Sequence, residues 1–183
     1  MLNPRAAYNL VKALNDSTDG ELVKSRDLVL LLLDHTPAPF SRDQFMPGHI
    51  TCTGLVLDPA RADVLLIHHG RLDRWLLPGG HVEPADPTLV EAARREVVEE
   101  TGVLLDPDLA PLLVDIDVHG IPPGKGEPYH LHHDLLFAFR ALSRDVQVSH
   151  ESRDIAWSSR DQFDRYDLPR NVRRAVARLD SAL

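Results

Sequence analysis

The segment Leu77–Val103, LPGGHVEPADPTLVEAARREVVEETGV, constrains this chain more than any other stretch. It begins with a proline and two glycines, and it continues as a helix that we expect to end at Gly102. Glu96, Glu99 and Glu100 crowd the end of this helix, where the helix dipole disfavours negative charge. At spacings of three and four they share one face and repel, at a cost of roughly a few tenths of a kcal/mol per pair. The helix therefore loses stability unless another charge offsets the glutamates.

An acidic helix face has two interpretations. Most charge runs are solvated surface, and Arg95 offsets part of the repulsion because it lies four residues from both Glu91 and Glu99. The carboxylates could instead bind a hard divalent cation such as Mg²⁺, which prefers oxygen ligands. A bound cation would also let a chain of formal net charge −8 hold an anionic substrate.

The length and net charge of the chain indicate how many domains it has and which partners are disfavoured. With 183 residues, the chain is long enough for one domain with a hydrophobic core and a small appendage. Its net charge of −8 argues against nucleic acid or an anionic membrane as a partner. The single Cys52 excludes an internal disulfide, and the first residues show no signal-peptide pattern, so we expect a cytoplasmic location.

Hydrophobic periodicity divides the chain in two. Residues 1–47 predict a helical N-terminal extension, with Asn3 and Pro4 at the start of its first helix. Residues 48–183 predict one α/β domain, with a mixed sheet and helices on its faces. The predicted strands lie in ITCTGLVLD and DVLLIHH, which favour a hairpin, and in RWLL, LLVDIDVHG, YHLHHDLLFAFRA and DIAWS. The predicted helices of this part are Pro87–Thr101, SRDQFDRY and LPRNVRRAVARLDSAL.

The start of the acidic helix has its own signals. Asp86 is the predicted N-cap and Pro87 the first helical residue, while Thr88 with Glu91 offers an alternative capping box. The glycines after Pro78 predict a sharp turn that leaves room for a ligand.

The segment from Gly80 to Val103 resembles the Nudix box, G-x5-E-x7-R-E-U-x-E-E-x-G-U, in which U is aliphatic. REVVEETGV matches the whole second half, and Gly80 supplies the first glycine. The middle departs from the pattern, because Asp86 stands at the first acidic position and eight residues, not seven, separate it from Arg95. We therefore assign Asp86 to helix capping. The resemblance covers residues 48–183 and leaves the extension unexplained.

The resemblance implies a fold and a reaction. The fold is a Nudix-like α/β/α sandwich, and the reaction is hydrolysis of a nucleoside diphosphate linked to another group, with Mg²⁺ or Mn²⁺. By position, Glu99 and Glu100 are implied metal ligands, with Glu96 also coordinating or acting nearby. Arg95 is implied to orient a glutamate through a charge-assisted hydrogen bond.

A general base is needed to take the proton of the attacking water. The resemblance points to a glutamate in a loop before a late strand, and SHESRDIAWSS places Glu151 in such a loop, as the leading base or an extra metal ligand. Glu151 could equally be a solvated loop residue, and a glutamate of the box could serve as the base.

Residues around the motif are predicted to contact substrate. The glycines leave space for a ligand, a histidine follows them, and two arginines precede them. The predicted contacts are Gly79, Gly80, His81, Arg74 and His132, with Arg71 and His119 as further pocket candidates.

The ten histidines raise a different possibility. If YHLHHD is extended, His130, His132 and Asp134 share one face of a strand and could bind zinc. Three functions therefore stand side by side: a metal-dependent hydrolase of a small nucleotide or diphosphate substrate, a catalytically weak Nudix-like nucleotide-binding or sensor module, and a zinc-binding protein. The helical extension could cover the pocket, form a homodimer contact, or pack on the sheet.

Overall fold

Seven strands and four α-helices make up the described part of the chain. The computed structural model describes residues 2–14, 18–124, 126–150 and 152–182, with side chains described up to residue 179. The strands are β1 (His49–Leu57), β2 (Asp63–His69), β3 (Arg74–Leu76), β4 (Gly79–His81), β5 (Leu112–Ile121), β6 (His130–Arg140) and β7 (Ser152–Ser159). The α-helices are α1 (Pro4–Ala13), α2 (Gly20–His35), α3 (Leu89–Thr101) and α4 (Arg170–Ala182), and Arg160–Tyr166 forms a 3-10 helix.

The strands form one mixed sheet in the order β3-β2-β1-β6-β5, with β4 paired to β1 and β7 paired to β2. β1 lies at its centre and runs parallel to β6, with His49 opposite His132 and Leu57 opposite Arg140. β1 also pairs antiparallel with β2, which confirms the predicted hairpin. Because β1 and β6 are parallel, both begin at the same edge of the sheet.

A hydrophobic core lies on each face of the sheet. Cys52 and Val56 of β1 pack in the core that also contains residues of α1, α2 and α3. Leu55 and Leu57, which point the other way along the same strand, pack in the core that contains the 3-10 helix and α4. The predicted α/β/α sandwich with a mixed sheet is confirmed.

The N-terminal helices pack against the sheet. Asn3 caps α1 by accepting from the backbone N–H groups of Arg5 and Ala6, as its position before Pro4 predicts. Val11 of α1 and residues of α2 are buried in the same core as α3. The predicted helices of the extension are therefore present.

An ion-pair network ties the extension to the sheet and the last helix. Asp115 of β5 is fully buried and accepts from Arg174 at 2.9 Å and from Arg178 at 2.5 Å, both on α4. Arg178 also binds Asp19, the N-cap of α2. Burial raises the pKa of Asp115, and the two arginines oppose that rise.

The structure corrects two local predictions. The segment after Pro78 is not a sharp turn, because Gly79–His81 is extended and pairs antiparallel with β1. α3 begins at Leu89, not Pro87, and its N-cap is Thr88, whose hydroxyl accepts from the N–H of Glu91. No helix of the described residues is long and apolar enough to cross a membrane.

Candidate active site

A cleft of about 2040 Å³ opens at the edge of the sheet where β1 and β6 begin. The last residues of β5 reach the same edge, because β5 runs antiparallel to β6. One side of the cleft is formed by α3, whose three glutamates line it. We call Glu96, Glu99 and Glu100 the acidic wall.

Arg95 holds two members of the acidic wall together. Its Nη1 donates to Glu96 Oε1 at 2.9 Å and to Glu99 Oε2 at 3.0 Å. Its Nη2 donates to the carbonyl oxygen of His81 at 2.9 Å, which ties α3 to β4. A single planar guanidinium thus fixes both carboxylates relative to the neighbouring strand.

The two glycines of β4 let the strand approach the acidic wall. The N–H of Gly79 donates to Glu100 Oε2 at 2.8 Å, and Glu100 is buried with 6% exposure. A Cβ atom built on Gly80 would lie 2.8 Å from the carboxylate of Glu96, closer than such atoms approach one another. Gly80 is therefore required for close contact and not for a positive φ angle.

Asp86 anchors Arg95 and does not cap the helix. Arg95 Nε and Nη2 donate to the two carboxylate oxygens of Asp86, each at 3.1 Å, and the N–H of Glu83 donates to Asp86 at 2.7 Å. Burial opposes ionisation of Asp86, but these hydrogen bonds lower its pKa. The capping prediction for Asp86 is wrong, because its carboxylate is committed to Arg95 and Thr88 takes the N-cap position.

The acidic wall keeps an excess of negative charge. Arg95 forms ion pairs with Glu96, Glu99 and Asp86, so its single positive charge is shared among three carboxylates. Glu100 adds a further carboxylate. Glu99 is the most open member of the wall, with 60% of its side chain exposed. These oxygen donors fit a hard divalent cation such as Mg²⁺ or Mn²⁺.

Histidines from three strands form a cluster beside the same cleft, and two of them, His81 and His132, line it. His49 begins β1, His81 ends β4 and His132 lies near the start of β6. Their ring centroids lie 4.9 to 5.2 Å apart. Each offers a ligand atom, and these atoms all lie within 4.8 Å of one another. We call these three residues the histidine floor.

The structure groups the histidines differently from the sequence. The predicted trio of His130, His132 and Asp134 shares a strand face, but Asp134 accepts hydrogen bonds from the hydroxyls of Thr51 and Thr53 at 2.9 Å each. His130 donates from Nδ1 to the carbonyl oxygen of Pro128 at 2.8 Å. Among the described residues, the trio with ligand atoms in mutual reach is the histidine floor.

The other predicted site residues occupy different parts of the cleft. The cleft is lined by Arg71, Arg74 and His119, in addition to His81 and His132. His119 contacts Asp117 at 3.0 Å, and this hydrogen bond raises the pKa of His119. Glu151 lies outside the described residues, so its predicted role stays a prediction.

Sequence reasoning missed the roles of two residues. Asp86 had a usable signal, because an acid ahead of the RE motif can pair with the arginine. His49 had none in the linear sequence, because its partners lie 32 and 83 residues further along the chain, at His81 and His132. Only the strand pairing brings these histidines together.

The sandwich fold and the carboxylate-lined cleft can now be compared with known proteins. A family model for the NUDIX domain matches residues 48–179. The chain therefore belongs to the NUDIX family and is a Nudix-type hydrolase.

Similar proteins carry the same domain. The chain is 36% identical over 98 residues to a nucleoside triphosphatase, NudI, of Enterobacter sp. (strain 638). The aligned residues cover 52% of this chain and 68% of that relative. A NUDIX-family hydrolase from Clostridium perfringens aligns with a TM-score of 0.53 and 23% identity, over 74% of this chain and 98% of that one. The NUDIX domain of Shewanella oneidensis NrtR, complexed with ADP ribose, aligns with a TM-score of 0.56 and 16% identity, over 83% and 96%. At these identities, the structural matches establish the fold alone.

Proposed function

We propose that this protein hydrolyses a diphosphate linkage in a nucleoside diphosphate joined to another group, with Mg²⁺ or Mn²⁺ bound by Glu96, Glu99 and Glu100. The observation that carries the proposal is the acidic wall itself. Three carboxylates line one side of a large cleft, and one arginine holds two of them in place. A cation bound by these carboxylates would offset their charge and favour the entry of an anionic substrate, together with Arg71 and Arg74 of the same cleft.

The chain's own residues define the proposed mechanism. The metal, when bound, makes water more acidic and offsets charge on the phosphate oxygens. Arg95 keeps Glu96 and Glu99 at fixed positions, and the N–H of Gly79 does the same for Glu100. Glu99 is open enough to contact both solvent and a bound ligand. Asp86 does not contact the glutamates itself but positions Arg95, which holds Glu96 and Glu99.

The proton of the attacking water needs an acceptor. Glu151 is our proposed base, and Ser149 and His150, which precede it in the chain, line the cleft together with Glu99. A carboxylate of the acidic wall is the alternative base. Glu151→Gln tests this assignment: turnover should fall strongly while Mn²⁺ affinity stays unchanged if Glu151 takes the proton, and unchanged turnover would favour a carboxylate of the acidic wall.

The substrate class follows from the cleft and from the relatives. The cleft exceeds the roughly 300 to 1,000 Å³ that a drug-sized ligand needs, so it can hold a nucleotide with a second group attached. Arg71 and Arg74 are the proposed contacts of the phosphates, and His81 and His132 those of the remainder. NudI is described as a nucleoside triphosphatase, and the NrtR domain was crystallised with ADP ribose, so both classes belong in the test.

A substrate panel tests the proposal. The protein is incubated with Mg²⁺ or Mn²⁺ and nucleoside triphosphates, nucleotide sugars, ADP-ribose and dinucleotides, and the release of phosphate or pyrophosphate and nucleotide is measured. Turnover that a chelator abolishes and added Mg²⁺ restores is the expected result. Tight nucleotide binding without turnover would instead indicate the sensor module.

A further inference from the structure

We propose that the histidine floor, formed by His49, His81 and His132, is a second metal site that takes a transition-metal ion of the zinc class. This site is separate in chemistry from the acidic wall and does not depend on the proposed function. Imidazole ligands suit Zn²⁺, Cu²⁺ and Ni²⁺, whereas Mg²⁺ prefers carboxylate and water oxygens.

The sheet positions the three histidines rigidly. His49 lies opposite His132 in the parallel pairing of β1 and β6, and β4 places His81 opposite Thr51, two residues after His49. The three ligand atoms lie within 4.8 Å of one another. In a tetrahedral zinc site with bonds of about 2.0 to 2.1 Å, the ligand nitrogens are about 3.4 Å apart. Rotation of the side chains that moves the ligand nitrogens by about 1 Å would therefore bring them to this spacing without a change in the sheet.

The hydrogen bond of His49 leaves one of its ring nitrogens available to bind a metal ion. Its Nδ1 lies 3.2 Å from the carbonyl oxygen of Gln44, which can only accept, so Nδ1 carries the proton. Nε2 then has a free lone pair, and it is buried without a hydrogen-bond partner among the described residues. A histidine that donates one nitrogen to a carbonyl and offers the other is typical of metal sites.

His132 shares one part of this pattern, an unpartnered Nε2 atom. Its Nε2 is also buried and has no hydrogen-bond partner in the described part of the chain. Its ring lies 4.9 Å from that of His49 and 5.2 Å from that of His81. Two unpartnered, buried nitrogens in one cluster are a cost to the folded protein unless a ligand fills the space between them.

Protonation does not compete with a metal ion near neutral pH. Burial, together with the neighbouring histidines, lowers the pKa of His81 to about 4 and that of His132 to about 2. Burial also lowers the pKa of His49. The neutral imidazole is the form that binds metal.

The proposed site has an open position toward the cleft. Three protein ligands leave a fourth tetrahedral position, as in zinc sites that also bind water or an exchangeable ligand. His81 and His132 line the cleft, whereas His49 is buried behind them with 1% exposure. Asp134 is held by the hydroxyls of Thr51 and Thr53 and is not one of the proposed ligands, and burial raises its pKa.

Metal analysis of the protein without a polyhistidine tag tests this site. After dialysis against Zn²⁺ and removal of loosely bound ion, we expect one equivalent of zinc at the histidine floor. Co²⁺ in its place should show the intense visible absorption of a tetrahedral site. His81→Gln and His132→Gln should each lower Zn²⁺ affinity at least about 10-fold and abolish the Co²⁺ absorption.

Two controls make the test specific. His35→Gln removes an exposed histidine at the end of α2 and should leave Zn²⁺ affinity and the Co²⁺ absorption unchanged. The double variant Glu99→Gln, Glu100→Gln should lose activity but keep the Co²⁺ absorption, which separates this site from the proposed function. An octahedral Co²⁺ spectrum in the wild type would overturn the proposal, as would unchanged Zn²⁺ affinity in folded His81→Gln and His132→Gln.

Discussion

The acidic wall and the histidine floor face the same cleft but differ in charge, burial and origin. The acidic wall comes from one helix turn and a half, carries net negative charge and is held by an arginine. The histidine floor comes from three strands, is neutral at pH 7 and contains nitrogens with no partner among the described residues. One cleft thus offers hard oxygen ligands and borderline nitrogen ligands as separate sets.

The difference shows how each set is stabilised. The carboxylates repel one another, and Arg95 and the N–H of Gly79 offset part of that repulsion in the absence of metal. The histidines avoid repulsion by staying neutral, at the cost of unpartnered ring nitrogens. We propose that each set is stabilised by a metal, but by a different class of ion.

Removal of a carboxylate from the acidic wall should have the largest effect on turnover. Glu99→Gln and Glu100→Gln should each lower kcat at least about 100-fold, because each removes a charged oxygen ligand where charge develops. Glu91→Gln is the matched control on the same helix, since Glu91 pairs with Arg94 on the surface and should change kcat less than about 2-fold. Steady-state assays with the best substrate of the panel measure all three. Equal losses in Glu91→Gln would contradict the assignment.

Gly80→Ala should have the next largest effect. The added Cβ would lie 2.8 Å from the carboxylate of Glu96, which can rotate away at little cost to the fold. We expect kcat to fall about 10-fold or more with little change in melting temperature, because the ligand geometry is displaced. Gly20→Ala, where nothing lies within 4 Å of the new atom, should leave kcat unchanged. Normal turnover in Gly80→Ala would show that Glu96 is not a critical ligand.

Asp86→Asn should have the smallest effect on turnover and a clear effect on stability. The amide keeps one acceptor oxygen for Arg95 but replaces the other with a donor and removes the negative charge, which should cost about 1 to 2 kcal/mol of unfolding free energy and lower kcat about 3-fold. Asp106→Asn removes a similar pair with Arg140 away from the cleft and should lower the melting temperature without changing kcat. Unchanged stability in Asp86→Asn would contradict the anchoring role.

The pH dependence of this loss has a defined sign. The folded protein lowers the pKa of Asp86 below its ordinary value of 3.8. Its contribution is therefore complete above that value and is lost as the pH falls through the folded pKa. The difference in melting temperature between the wild type and Asp86→Asn should shrink as the pH falls below about 4. A difference that grows would contradict the lowered pKa.

The two sets also show how far sequence reasoning reaches. The acidic wall was predictable because its residues are close in sequence and a helix fixes their common face. The hairpin and the mixed sheet with helices on its faces were predictable from local hydrophobic periods, whereas the α/β/α sandwich was implied by the resemblance to the Nudix family. The role of Asp86 was assigned wrongly, because an acid just before a helix fits both a cap and an arginine anchor.

The clustering of the three histidines could not be predicted from the sequence alone. His49 directly precedes the predicted strand ITCTGLVLD, and the strand pattern of YHLHHD suggested partners along one strand. The actual partners of His49 are set by the parallel pairing of β1 with β6 and by β4. β4 has only three residues, two of them glycines, and the glycines predicted a turn instead of a strand. Non-local pairing of this kind has no local signal.

Mn²⁺ titration followed by electron paramagnetic resonance tests the separation of the two sets most directly. Mn²⁺ is a hard ion that reports binding to oxygen ligands without requiring a substrate. We predict saturable Mn²⁺ binding that the double variant Glu99→Gln, Glu100→Gln loses and that His81→Gln retains. Loss of Mn²⁺ binding in His81→Gln, or its persistence in the glutamate double variant, would contradict the account.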